Sequence, residues 1–161
     1  MAVYRGNISD ITGFNLTADD YAAYAKKLAE YAHTLTTQEG RPLMFGQKNA
    51  GQLLPDLIDI MDFAVIEECR DNYICCVWQP YIKQGKPVFE LEYPKSVRHS
   101  TNITVADYNK YCDNEYGNNK YSLLIKHASE QVNGWGMYCD NGLTGGGFDT
   151  SKGIEEPDER K

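Results

Sequence analysis

Two apolar runs constrain the fold of this chain more than any other feature: Asp62-Phe-Ala-Val-Ile-Glu-Glu-Cys69 and Lys86-Pro-Val-Phe-Glu-Leu-Glu-Tyr93. Each is short and rich in apolar residues, the pattern of a strand buried in a parallel sheet. Each also ends in carboxylates. Charge at a buried strand end is costly unless that end opens onto a site. In α/β barrels the chemistry sits at the C-terminal ends of the strands. Glu67, Glu68, Glu90 and Glu92 are therefore the first candidates for function.

The elements around these runs alternate. Thr17-Ala-Asp-Asp20 is a capping-box start for a helix to about residue 33, with Tyr21, Tyr24, Ala25, Leu28, Tyr31 and Ala32 forming its apolar face. A strand over 43–47 ends at Lys48-Asn49, and a helix follows with Leu53, Leu54, Leu57, Ile58 and Met61 apolar. Next come a strand over 63–66, a helix over about 73–83 stopped at Gly85, and a strand over 87–92. Thr104 caps a helix to about residue 116, and 121–126 is the last strand. Alternation at this spacing predicts an α/β fold of right-handed parallel βα units. Four strands are few for a closed barrel, whose usual eight-unit form takes about 250 residues. Periodicity alone leaves open a small sheet or part of a barrel. Residues 143–161, with Gly145-Gly-Gly147 and a charged end, are expected to form a flexible tail.

Composition narrows the classes of partner. A net charge of −7 argues against general nucleic-acid binding, which needs a basic face. No apolar run is long enough to span a membrane. The 12 tyrosines suit core packing and strands, while an exposed ring can also stack on a sugar. No hydrophobic leader follows Met1, yet Asn7, Asn15 and Asn102 stand in N-x-S/T sequons, which are acceptors in secreted chains. Cysteines occur at 69, 75, 76, 112 and 139; Cys69 and Cys75 are spaced to close as a disulfide, and the odd count leaves a thiol over. No Cys-x-x-Cys pair or histidine at metal spacing occurs, so no metal is expected. No Gly-rich loop follows a strand, which disfavours an enzyme acting on a phosphorylated ligand.

Several blocks together resemble one family. Gly46-Gln-Lys-Asn49, then Asp62 to Cys69 with Cys75, then Gly85-Lys-Pro-Val-Phe-Glu-Leu-Glu-Tyr93 are similar, in order and spacing, to blocks of glycoside hydrolase family 114. Thr12-Gly-Phe14, Leu16-Thr17-Ala18, Tyr24 and Ala32-His33 upstream, and Leu124-Ile-Lys126 and Trp135 to Cys139 downstream, extend the likeness over about residues 4–142. The resemblance implies a TIM barrel of which this chain is the later, C-terminal half, with residues 1–142 as the partial barrel domain. It implies an endo-α-1,4-polygalactosaminidase type of activity, a galactosamine-rich polysaccharide as partner, no cofactor, an extracellular location and a Cys69–Cys75 disulfide.

Glycoside hydrolysis needs two carboxyl groups flanking the bond. Glu67 matches the family's carboxylate in its Asn-Glu-x-Cys stretch and is the catalytic candidate, as acid or base. The Asn before it is Ile66 here, and the family's acidic stretch with the other carboxylate is replaced by Val3-Tyr-Arg-Gly-Asn-Ile8. Lys48, Asn49, Glu92 and Lys126, at neighbouring strand ends, are the substrate-binding candidates. An acidic pocket suits a cationic amino sugar. For Glu67 the competing reading is a surface glutamate in a loop, for Lys48, Asn49 and Lys126 a structural salt bridge to Glu67 or Glu92, and for Glu90 an ion pair inside the barrel. His33 reads as a helix-end cation; Trp78 and Trp135 are either core or sugar-stacking. A longer native product would account together for the missing leader, first units and aspartate. The alternative is a non-catalytic half-barrel that binds glycan or self-associates through its open edge.

Overall fold

The computed structural model describes residues 13–97, 102–112, 120–127, 134–139 and 148–149. Its helices are α1 (Ala18–Thr34), α2 (Leu54–Leu57), α3 (Gln79–Lys83) and α4 (Val105–Cys112). Its strands are β1 (Gly46–Lys48), β2 (Phe63–Glu67), β3 (Val88–Glu92), β4 (Ser122–Ile125), β5 (Trp135–Tyr138) and β6 (Phe148–Asp149), in one sheet ordered β1-β2-β3-β4-β5-β6. The first four strands pair in parallel, as the alternation predicts; β5 joins β4, and β6 joins β5, antiparallel. The two antiparallel strands are additions to the expected four. β6 falls inside the segment expected to be a flexible tail, the rest of which lies outside the described residues.

The elements form for local reasons. Thr17 caps α1 in a capping box: the Asp20 N–H donates to Thr17 Oγ1 at 3.3 Å and the Thr17 N–H donates to Asp20 Oδ2 at 2.8 Å. The predicted helix over 73–83 is split into a 3-10 turn, Cys75–Trp78, and α3. Pro80 explains the break, since proline fits the first turn of an α-helix and not its interior. β1 is shorter than expected and starts at Gly46, where a side chain would collide with the Phe63 ring: an added Cβ would lie 2.2 Å from it.

The core corrects the expected face of α1. Its buried residues are Ala22 and Ala29, whereas Tyr24 and Tyr31 are each 65% exposed. Tyr21 and Ala25 of the expected face pack partly against the same cluster as Leu54, Leu57 and Trp78, while the Tyr24 and Tyr31 rings are turned outward. Register fixes the two sheet faces. Ala64, Ile66, Val88, Glu90, Glu92, Leu123 and Ile125 lie on one face, buried. Val65, Glu67, Phe89, Leu91 and Leu124 lie on the other, partly open face. In a barrel the helices form the outer ring. The uncovered face is thus the one that turns toward a barrel axis.

Two disulfides fasten the fold. Cys69–Cys75 forms as the spacing suggests, and Cys112 joins Cys139 across a separation of 27 residues, tying α4 to the end of β5. Cys76 is the free cysteine and is exposed.

Candidate active site

Glu67 ends β2 on the open face, and three neighbours converge on its carboxylate. Lys48, last in β1, places Nζ 2.5 Å from Oε2. Asn49 follows in a left-handed turn (φ 46°), which the short amide side chain tolerates. That turn lets Asn49 Oδ1 accept the Glu67 N–H at 3.0 Å while Nδ2 reaches Oε2 at 3.4 Å. The Tyr93 hydroxyl donates to Oε1 at 2.7 Å. Each carboxylate oxygen therefore faces a donor.

These bonds set the charge. The Lys48 ammonium first, then the Tyr93 hydroxyl, stabilise the ionised form more than partial burial opposes it, so the Glu67 carboxyl is held below the usual range. An ionised carboxylate can act as nucleophile or base, or attract a cation. It is a poor proton donor at neutral pH.

Glu90 and Glu92 do not share this site. The expectation that they line a pocket with Glu67 is overturned by the alternation of β3: both are fully buried on the opposite, helix-covered face. Glu90 is an ion-pair residue, but under the helices rather than inside a barrel; its Oε1 accepts from Arg70 Nε at 3.0 Å. Glu92 Oε1 accepts the Arg70 backbone N–H at 2.9 Å. A residue with no exposed surface cannot touch a polysaccharide, so Glu92 is removed from the substrate-binding candidates. Cys69, Cys75, Glu90 and Glu92 bring their sulfur and oxygen atoms within 4.8 Å of one another, but both sulfurs are joined in the disulfide and offer no thiolate to a metal.

Lys126 stands two strands from Glu67, its Nζ donating to the Trp135 carbonyl at 2.5 Å, and is not gathered with Lys48 and Asn49. Trp78 and Trp135 are both buried core residues. His33 Nε2 lies 2.8 Å from Asp62 Oδ2, so this helix-end histidine serves packing of α1 on the sheet. His99 lies outside the described residues, as does the segment 3–8. Tyr93 was not singled out from sequence. Period two along β3 places 89, 91 and 93 on the face of Glu67, and that alternation is the signal that finds it.

The comparisons settle the family. The model of glycoside-hydrolase family GH114 matches residues 1–144. The chain belongs to this family. Among solved structures it is similar to Aspergillus fumigatus Ega3, determined in complex with galactosamine, at 32% identity and a TM-score of 0.68, covering 81% of this chain and 49% of that one. The chain thus spans about half the length of that relative, and its parallel sheet is part of a TIM-barrel-like fold. No curated protein matches it.

Proposed function

We propose that this chain carries one catalytic carboxylate, Glu67, of a glycoside hydrolase acting on α-1,4-linked galactosamine-containing polysaccharide. The observation that carries the reading is the Lys48–Glu67–Tyr93 arrangement at a parallel strand end, on the face turned to the barrel axis. The ionised state of Glu67 assigns it the nucleophile or base role, and the reaction needs a second carboxyl as acid. Lys48 and Asn49 hold Glu67 and border the position of the sugar. The galactosamine bound by the relative carries an amine that ionised Glu67 would attract. The disulfides and the exposed sequon residues Asn15 and Asn102 favour an extracellular location.

The test is hydrolysis of α-1,4-linked galactosamine oligomers, read by mass spectrometry of the products. Wild-type protein is expected to shorten them, and Glu67→Gln to lose about 10²–10⁴-fold in rate. Equal rates for the two proteins would remove Glu67 from the mechanism.

A second reading has its own observation: the open face carrying Phe63, Val65, Phe89 and Leu91, with Phe89 42% exposed, is a surface through which two copies could associate. Sedimentation showing a stable dimer that binds the oligomers without cutting them would favour that reading.

A further inference from the structure

Directly behind Glu67, the chain turns a corner that is held from below. Glu68 adopts a left-handed conformation (φ 53°), unusual for a glutamate. Cys69 is bonded to Cys75, and Arg70 is fastened twice, by its backbone N–H to Glu92 and by its side chain to Glu90. Two carboxyl groups at positions i and i+2 of β3 therefore grip the residue three places after the candidate catalytic carboxylate.

Charge balance at this grip is one proton short if both carboxyls ionise. The buried cation beside them is Arg70, and Glu90 takes it. Glu90 Oε2 and Glu92 Oε2 are buried and accept no bond from a donor among the described residues, and the two side chains bring carboxylate oxygens within 4.8 Å of each other. A proton between them removes both deficits at once: Glu92 donates, Glu90 accepts, and Arg70 with ionised Glu90 is neutral.

We infer that Glu90 and Glu92 share a single proton and act as positioning residues, locking the Glu68–Arg70 corner and so the aim of the Glu67 carboxylate. The inference rests on the role of Glu67 proposed above. Other groups facing the pair agree with it. Asp71 adds negative charge but is paired with Lys110 of α4 and with the Tyr111 hydroxyl. The Tyr121 hydroxyl, just before β4, donates to the Cys75 carbonyl at 2.8 Å and stays protonated through burial. The Cys76 thiol lies near Tyr121 and is exposed. Burial, then the Glu90 and Asp71 charges, push Glu92 up to about 8 against the pull of the Arg70 N–H.

Above the ordinary value of about 4.3, an unfolded glutamate releases a proton that folded Glu92 keeps. The grip therefore holds while Glu92 keeps its proton and Glu90 stays ionised beside Arg70, and it is lost as pH rises through about 8.

The experiment is a carbon-13 titration of side-chain carboxyls in the folded chain, with Glu92→Gln and Glu92→Leu alongside. In wild type, one glutamate carboxyl is expected to titrate near pH 8, and the Glu67 signal to show a second inflection at the same pH. Glu92→Gln keeps an acceptor for Arg70 and a donor for Glu90, and is expected to abolish both features while Glu67 still titrates low. Glu92→Leu is expected to return Glu67 toward its ordinary value. If every carboxyl titrates below pH 6, or if Glu67 is indifferent to Glu92→Leu in the folded protein, the inference is overturned. Because the readout is the Glu67 carboxyl itself, it stands whether or not Glu67→Gln slows hydrolysis, so the two ideas fail separately.

Discussion

Lys48 Nζ and Glu67 Oε2, on neighbouring parallel strands, stand 2.5 Å apart on the open face of the sheet. The pair is half-exposed, so its contribution to stability is small, about 0.5 kcal/mol. Its larger effect is on the charge of Glu67. Replacing Lys48 with methionine is expected to raise the Glu67 carboxyl toward its ordinary value. Activity that needs the ionised form would then fail at a higher pH than in wild type, and the acid limb of kcat/KM would move to the alkaline side. An unmoved acid limb would mean that another group sets it.

Tyr93→Phe removes a donor at 2.7 Å from the other oxygen of Glu67. The loss is expected to cost about 1 kcal/mol of stability and to lower kcat more than it raises KM, because the hydroxyl is bonded to the carboxylate and aims it. Steady-state kinetics that show only a raised KM would instead make Tyr93 a substrate contact.

The sequence made the parallel core legible because its signals are local: apolar runs of strand length, a capping box at Thr17 and a stop at Gly85. It also exposed Glu67, Lys48 and Asn49, which lie at strand ends. It misled at Glu92 for one reason. Strand-end position says that a residue is near the site, but only the parity of the strand says which face it takes, and parity needs a known register. Glu67 and Glu92 are both strand-end glutamates, yet Glu67 neighbours Leu91, which places it opposite the Glu90–Glu92 face. Tyr24 and Tyr31 of α1 misled similarly. Helical spacing identified an apolar stripe, but the alanines a quarter-turn away allow the closer packing. Strand β5 is interrupted by Gly136, a poor strand former, and β6 has only two residues, so neither shows as an apolar run.

Asp62 offers a test of how α1 is held to the sheet. Burial pushes its carboxyl up, but the Phe45 N–H, His33 and Lys86 together outweigh burial and leave it below the usual range. Stability from a depressed carboxylate is present above the unfolded value, about 3.9, and is lost as pH falls through the lower folded value. Asp62→Asn is expected to cost about 1 kcal/mol at neutral pH, with the difference from wild type shrinking below about pH 4. Urea unfolding across that range measures it; a difference that persists unchanged into acid would assign the loss to packing.

The Cys112–Cys139 disulfide closes a far longer loop than Cys69–Cys75, with separations of 27 and 6 residues. Loop-closure entropy makes the long one worth about 3.5 kcal/mol and the short one about 2 kcal/mol. Replacing Cys112 and Cys139 together with serine is therefore expected to lower Tm more than the same change at Cys69 and Cys75 would through chain entropy alone. The site discriminates further. The long disulfide ties α4 to β5, away from Glu67, so its loss should leave the acid limb of hydrolysis in place while the protein melts earlier. The short one lies in the corner behind Glu67, so its loss should move that limb as well. Calorimetry paired with the pH profile separates the two; an acid limb displaced by the Cys112 and Cys139 replacements would show that β5 also holds the site.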